Sequence, residues 1–184
     1  MILKTIAITK DFFDIQKVCL LANEAFPSKE HLASDAMIEI AEDDDLDFWA
    51  LYDGNTFVGF MTVKTQDELS YLLFLAIDAS LRSKGYGSRA IETLKAIYKN
   101  YRHIVDMEIL DTAAENSEQR QKRRSFYLRN GFYPTGYSFS LHGVTYEVMC
   151  SDQSFEIEDF RELLSYIASD DGKPNYVEIR EQNK

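Results

Sequence analysis

Cysteine is scarce: Cys19 and Cys150 are the only two in 184 residues. Cys19 falls in an apolar helical pattern and Cys150 ends a strand-like run, so both read as core side chains. No disulfide framework is implied, and neither residue reads as a nucleophile. Basic charge is also in deficit, with 20 Lys and Arg against 31 Asp and Glu and a formal net charge of −11. That balance argues against a general affinity for nucleic acid or an anionic membrane, and it suits a cationic substrate. The apolar run from Tyr71 to Ile77 is far too short to span a bilayer. The opening MILKTIAITK lacks the apolar core of a signal peptide, so a cytoplasmic protein is expected. His31, His103 and His142 show no metal-ligand spacing, and no metal is expected. Internal repeats and low-complexity segments are missing as well. A chain of this length is expected to form one domain with a sizeable core.

What is present concentrates in LLFLAIDASLRSKGYGSRA, from Leu72 to Ala90. An apolar run with the composition of a buried strand ends near Ile77. A polar turn follows, then Arg82-Ser83-Lys84-Gly85-Tyr86-Gly87, and then Ala90, Ile91, Leu94, Ile97, Tyr98 and Tyr101 at helical spacing. A glycine-rich loop between a strand and a helix leaves backbone N–H groups unpaired at the positive end of the helix dipole. That is an anion site, above all for phosphate. Gly85 and Gly87 allow tight or left-handed geometry and close approach of a ligand, while Arg82 and Lys84 add charge.

Around this segment the pattern alternates strands and helices. Met1 to Thr9 reads as a strand, Asp11 to Phe26 as a helix stopped by Pro27, and Ser28 to Ala41 as a second helix. The run Glu42 to Asp45 reads as a solvated loop. Phe48 to Tyr52 and Phe57 to Lys64 flank Asp53-Gly54-Asn55 as a hairpin, and Leu69 to Ile77 is a third strand. His103 to Leu110 reads as a strand joined to the third by a parallel crossover through the helix. Ser117 to Asn130 reads as a helix ended by Gly131. Phe132 to Leu141 and Val144 to Cys150 form a second hairpin about His142-Gly143. Phe155 to Ile167 reads as a last helix, followed by a polar, loose end.

The loop at Arg82 to Gly87 resembles the core motif of the GCN5-related N-acetyltransferases (GNAT): Arg or Gln, two residues, Gly, one residue, then Gly or Ala, just after a strand. A second element, Ser125-Phe126-Tyr127-Leu128-Arg129-Asn130-Gly131-Phe132, is similar to that family's A-x-x-F-Y-x-x-x-G-F segment, with a departure before Phe126. The element order is similar too, over about Met1 to Cys150. The resemblance implies an α/β fold: a mixed, mostly antiparallel sheet with a central parallel strand pair flanked by helices. The expected division is an acetyltransferase domain at 1–151 and a C-terminal helix and tail at 152–184, part of the same unit or loosely attached.

The implied activity is transfer of an acetyl group from acetyl-coenzyme A to a primary amine, of a small molecule or a peptide N-terminus. Acetyl-coenzyme A is the expected cosubstrate, with no nucleic acid or membrane partner, and a homodimer is left open. Leu75 and Ile77 are expected to offer backbone groups to the pantetheine arm. Arg82, Ser83, Lys84, Gly85, Tyr86, Gly87 and Ser88 are expected to hold the pyrophosphate. Attack by an amine needs a proton acceptor, and the departing thiolate needs a donor. Glu108, which alternation places on one strand face with Asp106, matches a residue that acts as general base in some family members. Tyr127 matches the family tyrosine that donates to the coenzyme sulfur. The stretch Asp111 to Arg120 looks like an insertion, which weakens a coenzyme-contacting role for Asn116. Arg120, Lys122, Arg123, Arg124 and Arg129 read as a solvated helix face, with contact to the coenzyme 3′-phosphate as the other reading.

Two alternatives stand beside this one. A non-catalytic acyl-coenzyme A-binding module would keep the loop without needing Glu108 or Tyr127. A dinucleotide site is the other, since Gly85 to Ala90 satisfies G-x-G-x-x-A with Glu108 downstream. Against it, the first glycine there follows its strand almost at once, whereas Gly85 comes several residues after Ile77.

Overall fold

The computed structural model describes residues 1–26, 39, 46–141, 143–165 and 179–181. The second helix expected from Ser28, the acidic run at Glu42 and the turn residue His142 lie outside these, as does most of the tail. The fold is mixed α/β, with strands in the order β1-β2-β3-β4-β5-β7-β6-β8 and one parallel pair, β4 with β5. The chain divides into two compact units, Met1–Lys64 with Leu72–Lys99, and Thr65–Tyr71 with Asn100–Lys184.

The first unit holds β1 (Lys4–Ala7), α1 (Ile15–Ala25), β2 (Leu46–Asp53), β3 (Thr56–Gln66, into Lys64), the later part of β4 (Leu69–Ile77) and α2 (Tyr86–Ile97). α1 starts later than its apolar pattern alone predicts. Asp14 precedes it and caps nothing, because its carboxylate accepts from Tyr52 Oη at 2.6 Å and Lys17 Nζ at 3.0 Å. The helix buries Val18, Leu21 and Ala22 in a cluster with Phe48, Ala50, Phe57, Phe60 and Ala76. Each large side chain so buried contributes about 1.5–3 kcal/mol. Asp53-Gly54-Asn55 makes the expected hairpin, with Gly54 at φ +58°. A bulge in β3 shifts the register between Leu51↔Gly59 and Tyr52↔Phe57. Gly59 is required there, since a Cβ would lie 2.0 Å from the Ala76 carbonyl oxygen.

The second unit holds the start of β4, β5 (Arg102–Glu108), α3 (Ser117–Arg129), β6 (Tyr133–Leu141), β7 (Val144–Cys150), α4 (Ile157–Ser165) and β8 (Ile179–Glu181). β4 and β5 share the pairs Leu69↔Arg102, Ser70↔His103 and Tyr71↔Ile104. α4 buries Phe160, Leu163 and Leu164, with the Phe160 ring edge-on to Tyr71 at 5.2 Å, and Arg102 ties it down through Asp159 at 2.8 Å. The polar end read as loose in sequence supplies β8, which pairs with β6 from Tyr137↔Glu181 to Phe139↔Ile179. Three mainly polar residues carry no periodicity long enough to announce a strand.

α3 has no fully buried residue, with Phe126 and Tyr127 only partly covered. Its end is specified locally. Gly131 at φ +78° lets Phe132 N–H reach Tyr127 O at 3.1 Å and Gly131 N–H reach Leu128 O at 3.1 Å, a complete Schellman motif.

Candidate functional site

The loop after β4 is built by short-range hydrogen bonds. Asp78 Oδ1 accepts from Ser80 N–H at 2.9 Å and Ser80 Oγ at 2.6 Å, which folds Ala79–Leu81 into a single 3₁₀ turn. Ser83 at φ +61° and Gly85 at φ +84° are left-handed, and Gly85 immediately precedes α2 as its N-terminal flanking residue. No side chain caps that end. The N–H groups of Gly85 to Ser88 precede any helical carbonyl four residues back, so they are the donors an anion would take. A side chain at Gly85 has open space around it but would be strained by its φ. Gly87 is different: it lies inside α2 with no positive φ, so left-handed geometry does not require a glycine there.

The two basic side chains of the motif are placed differently. Lys84 is exposed, whereas Arg82 donates from Nε to the Ile77 carbonyl at 3.0 Å and from Nη2 to Glu24 Oε1 at 3.1 Å. Arg82 thus braces the end of β4 against the end of α1. Asp78 N–H donates to Val58 O at 2.9 Å, so Asp78 turns its backbone groups toward β3. Alternation then turns those of Ile77 and Leu75 toward the opposite edge of β4, where Arg82 meets the Ile77 carbonyl.

In the second unit, Glu108 is buried on β5 and surrounded by donors. Asn116 Nδ2 donates to its Oε2 at 3.0 Å and its Oε1 at 3.3 Å. Arg120 pairs with Oε1 at 2.9 Å and Arg123 with Oε2 at 3.5 Å. Arg120 also donates to Asn116 Oδ1 at 2.7 Å and Ile109 O at 2.9 Å, which closes the network over residues 109–116. Arg124 pairs with Glu147 at 3.0 Å. The basic residues of α3 read as a solvated face in sequence are therefore largely committed to carboxylates on β5 and β7. Pattern could not show this, because Glu147 follows Arg124 by 23 residues.

Tyr127 is half-buried, its ring 5.7 Å from that of Phe132. Burial, and then the charge of Asp106, push its phenol up to about 12, with Arg123 opposing. Tyr71 Oη donates to Asp106 Oδ1 at 2.5 Å, and burial and that carboxylate push the Tyr71 phenol up as well. A second buried pair, Ser70 Oγ with His103 Nδ1 at 2.6 Å, also escaped the sequence reading. The register Ser70↔His103 brings it together, and no local motif marks it.

A profile of the Acetyltransferase (GNAT) family matches residues 10–132, more than half of the chain. The chain belongs to the GNAT acetyltransferase family. Acetyl transfer is therefore its class of activity. Solved GNAT structures share its fold. One from Bacteroides thetaiotaomicron, described as a GNAT-family acetyltransferase, is 23% identical at a TM-score of 0.74, covering 89% of this chain and 97% of that one. An aminoglycoside 6′-N-acetyltransferase solved with coenzyme A is 16% identical at 0.63, covering 80% and 95%. The PaiA N-acetyltransferase of Thermoplasma acidophilum, also with coenzyme A, is 14% identical at 0.55, covering 80% and 98%. No curated protein matches the chain. No described helix is long and apolar enough to cross a membrane.

Proposed function

We propose that this GNAT protein transfers the acetyl group of acetyl-coenzyme A to a primary amine, on a small molecule or a peptide N-terminus. The observation that carries the proposal is the left-handed Gly85 immediately before α2 and its uncapped first turn, just after β4. Backbone donors of Ser83, Lys84, Gly85, Tyr86, Gly87 and Ser88 hold the pyrophosphate in this reading, and Lys84 adds charge, while the Arg82 N–H is already taken by the Ala79 carbonyl. The edge of β4 that carries the Leu75 and Ile77 backbone groups takes the pantetheine arm, for which Arg82 must yield the Ile77 carbonyl.

The amine nitrogen attacks the thioester carbonyl carbon, the C–S bond breaks, the nitrogen loses a proton and the thiolate gains one. Tyr127 is the donor to sulfur. A phenol held near 12 keeps its proton throughout ordinary assay conditions, and it is drawn on only as charge builds on sulfur. Glu108 is the candidate base. Its oxygens already accept from Asn116 and are ion-paired with Arg120 and Arg123, so a proton arriving there weakens those ion pairs. That makes its pH profile the informative measurement.

The test is release of free thiol from acetyl-coenzyme A with a panel of amines, read together with product mass. A product heavier by one acetyl group supports the proposal. Binding of acetyl-coenzyme A with no thiol release on any amine would leave the non-catalytic acyl-coenzyme A module instead. Acetyl-coenzyme A should also raise Tm by mass action and NADH should not; the reverse would return the loop to the dinucleotide reading.

A further inference from the structure

The first turn of α2 is held by a carboxylate more than thirty residues away in sequence. Asp53, the last residue of β2, accepts from Arg89 Nη1 at 2.7 Å and Tyr86 Oη at 2.9 Å on Oδ2, and from Arg89 Nη2 at 3.0 Å on Oδ1. The Arg89 guanidinium lies 5.0 Å from the centre of the Tyr86 ring, and its Nε donates to the Met1 carbonyl at 2.9 Å. Tyr86 opens α2 and Arg89 follows it by three residues, so both side chains leave one face of the first turn. The planar fork of Arg89 meets both carboxylate oxygens, the geometry in which a partly exposed ion pair restrains position rather than merely attracting.

We infer that Asp53 is a positioning residue for the coenzyme loop: it fixes the first turn of α2, and with it the direction of the N–H groups from Gly85 to Ser88. The inference rests on the phosphate-binding reading of that loop. Two glycines bracket Tyr86, and the described side chains of Ser83 and Lys84 are exposed. Together with the Arg82 brace, the Asp53 cluster ties the side chains of the first turn to the end of β2. Asp53 also commits the Arg89 charge, so it acts by geometry and not by adding a cation. Its carboxyl is held down to about 2 by the Arg89 and Tyr86 hydrogen bonds, so the cluster stays intact at ordinary pH.

The test compares two donors, acetyl-coenzyme A and S-acetylpantetheine, which lacks the pyrophosphate. Wild type should use acetyl-coenzyme A with the lower KM. Asp53→Ala should raise that KM about tenfold, equivalent to about 1.4 kcal/mol, with kcat little changed. Its KM for S-acetylpantetheine should move by far less. Asp53→Asn keeps an oxygen for Tyr86 and for one guanidinium N–H, and should recover most of the loss. Should Asp53→Ala fold poorly, Arg89→Met removes the same anchor from the helix side and should show the same selective loss. A wild type indifferent to the two donors overturns the phosphate-loop reading itself. A wild type that discriminates, with variants that lose equally on both donors, leaves Asp53 only a general structural role and overturns the inference. A lowered KM for acetyl-coenzyme A in Asp53→Ala also overturns it, since Asp53 would then be repelling the phosphates.

Discussion

Two polar regions of this GNAT protein treat their hydrogen-bonding groups in opposite ways. In the first unit, the turn from Gly85 to Ser88 presents main-chain donors with no side-chain cap, and the surrounding side chains brace the turn without filling it. In the second, the polar side chains consume one another: Glu108 takes Asn116, Arg120 and Arg123, and Glu147 takes Arg124. A backbone site of the first kind suits a ligand that brings its own charge. A closed network of the second kind suits holding a helix in place, and α3, with no fully buried residue, needs such a network. The difference bears directly on which residues should dominate chemistry.

The largest effect should come from Glu108→Gln, and it also tests the comparison most directly. As a base, Glu108 should be worth about 10² to 10⁴ in kcat/KM, with the loss largest where wild type is fully active and the acidic limb of its profile missing in the variant. If the loss is instead uniform in pH and accompanied by a lower Tm, Glu108 serves the network alone and the base role is removed. Tyr127→Phe should lower kcat about 10²-fold with little change in coenzyme affinity, since the phenol acts as charge builds on sulfur. Because that phenol is held near 12, kcat in the wild type should show no falling limb from this group below about pH 11. Wild-type turnover in Tyr127→Phe would remove the acid role.

Gly87→Val should weaken coenzyme binding at least about tenfold, or about 1.4 kcal/mol, because bulk enters where the ligand approaches the backbone. An unchanged Kd in a folded variant would remove the phosphate cradle. Glu147→Gln should cost about 1–3 kcal/mol of stability by leaving Arg124 without its charged partner, seen as a lower Tm with the Kd for coenzyme unchanged. A weakened Kd there would show that the second region is not merely structural. The smallest effect concerns Tyr127 and alkali. Its phenol is raised on folding, so its contribution is complete below the unfolded value near pH 10 and is lost as pH rises toward about 12. Tm should fall more steeply there in wild type than in Tyr127→Phe.

Those predictions divide along what each kind of residue reveals in a sequence. The strand Leu69–Ile77, the glycine turn and α2 were legible because each is specified by neighbours within a turn or a pleat. The Schellman end of α3 was legible from Gly131, and the hairpin from Asp53-Gly54-Asn55. The parallel pairing of β4 with β5 followed from the intervening helix. By contrast, the basic residues of α3 pointed toward solvent or a phosphate in pattern, and the fold pairs Arg120, Arg123 and Arg124 with carboxylates. Charge spacing along one helix carries no information about a partner on another strand.

By itself, the sequence determined most of the elements and the place of the glycine turn between β4 and α2. Alternation, helical period, and the left-handed preference of glycine act over a few residues and leave their mark in the order of the chain. Only the tertiary structure decided that Asp53 holds Tyr86 and Arg89, that Glu108 lies among Asn116, Arg120 and Arg123, and that Gly59 must lack a side chain beneath Ala76. These depend on which residues strand pairing and packing bring within hydrogen-bond or van der Waals reach, and a side chain's charge or size is the same whatever partner the fold supplies.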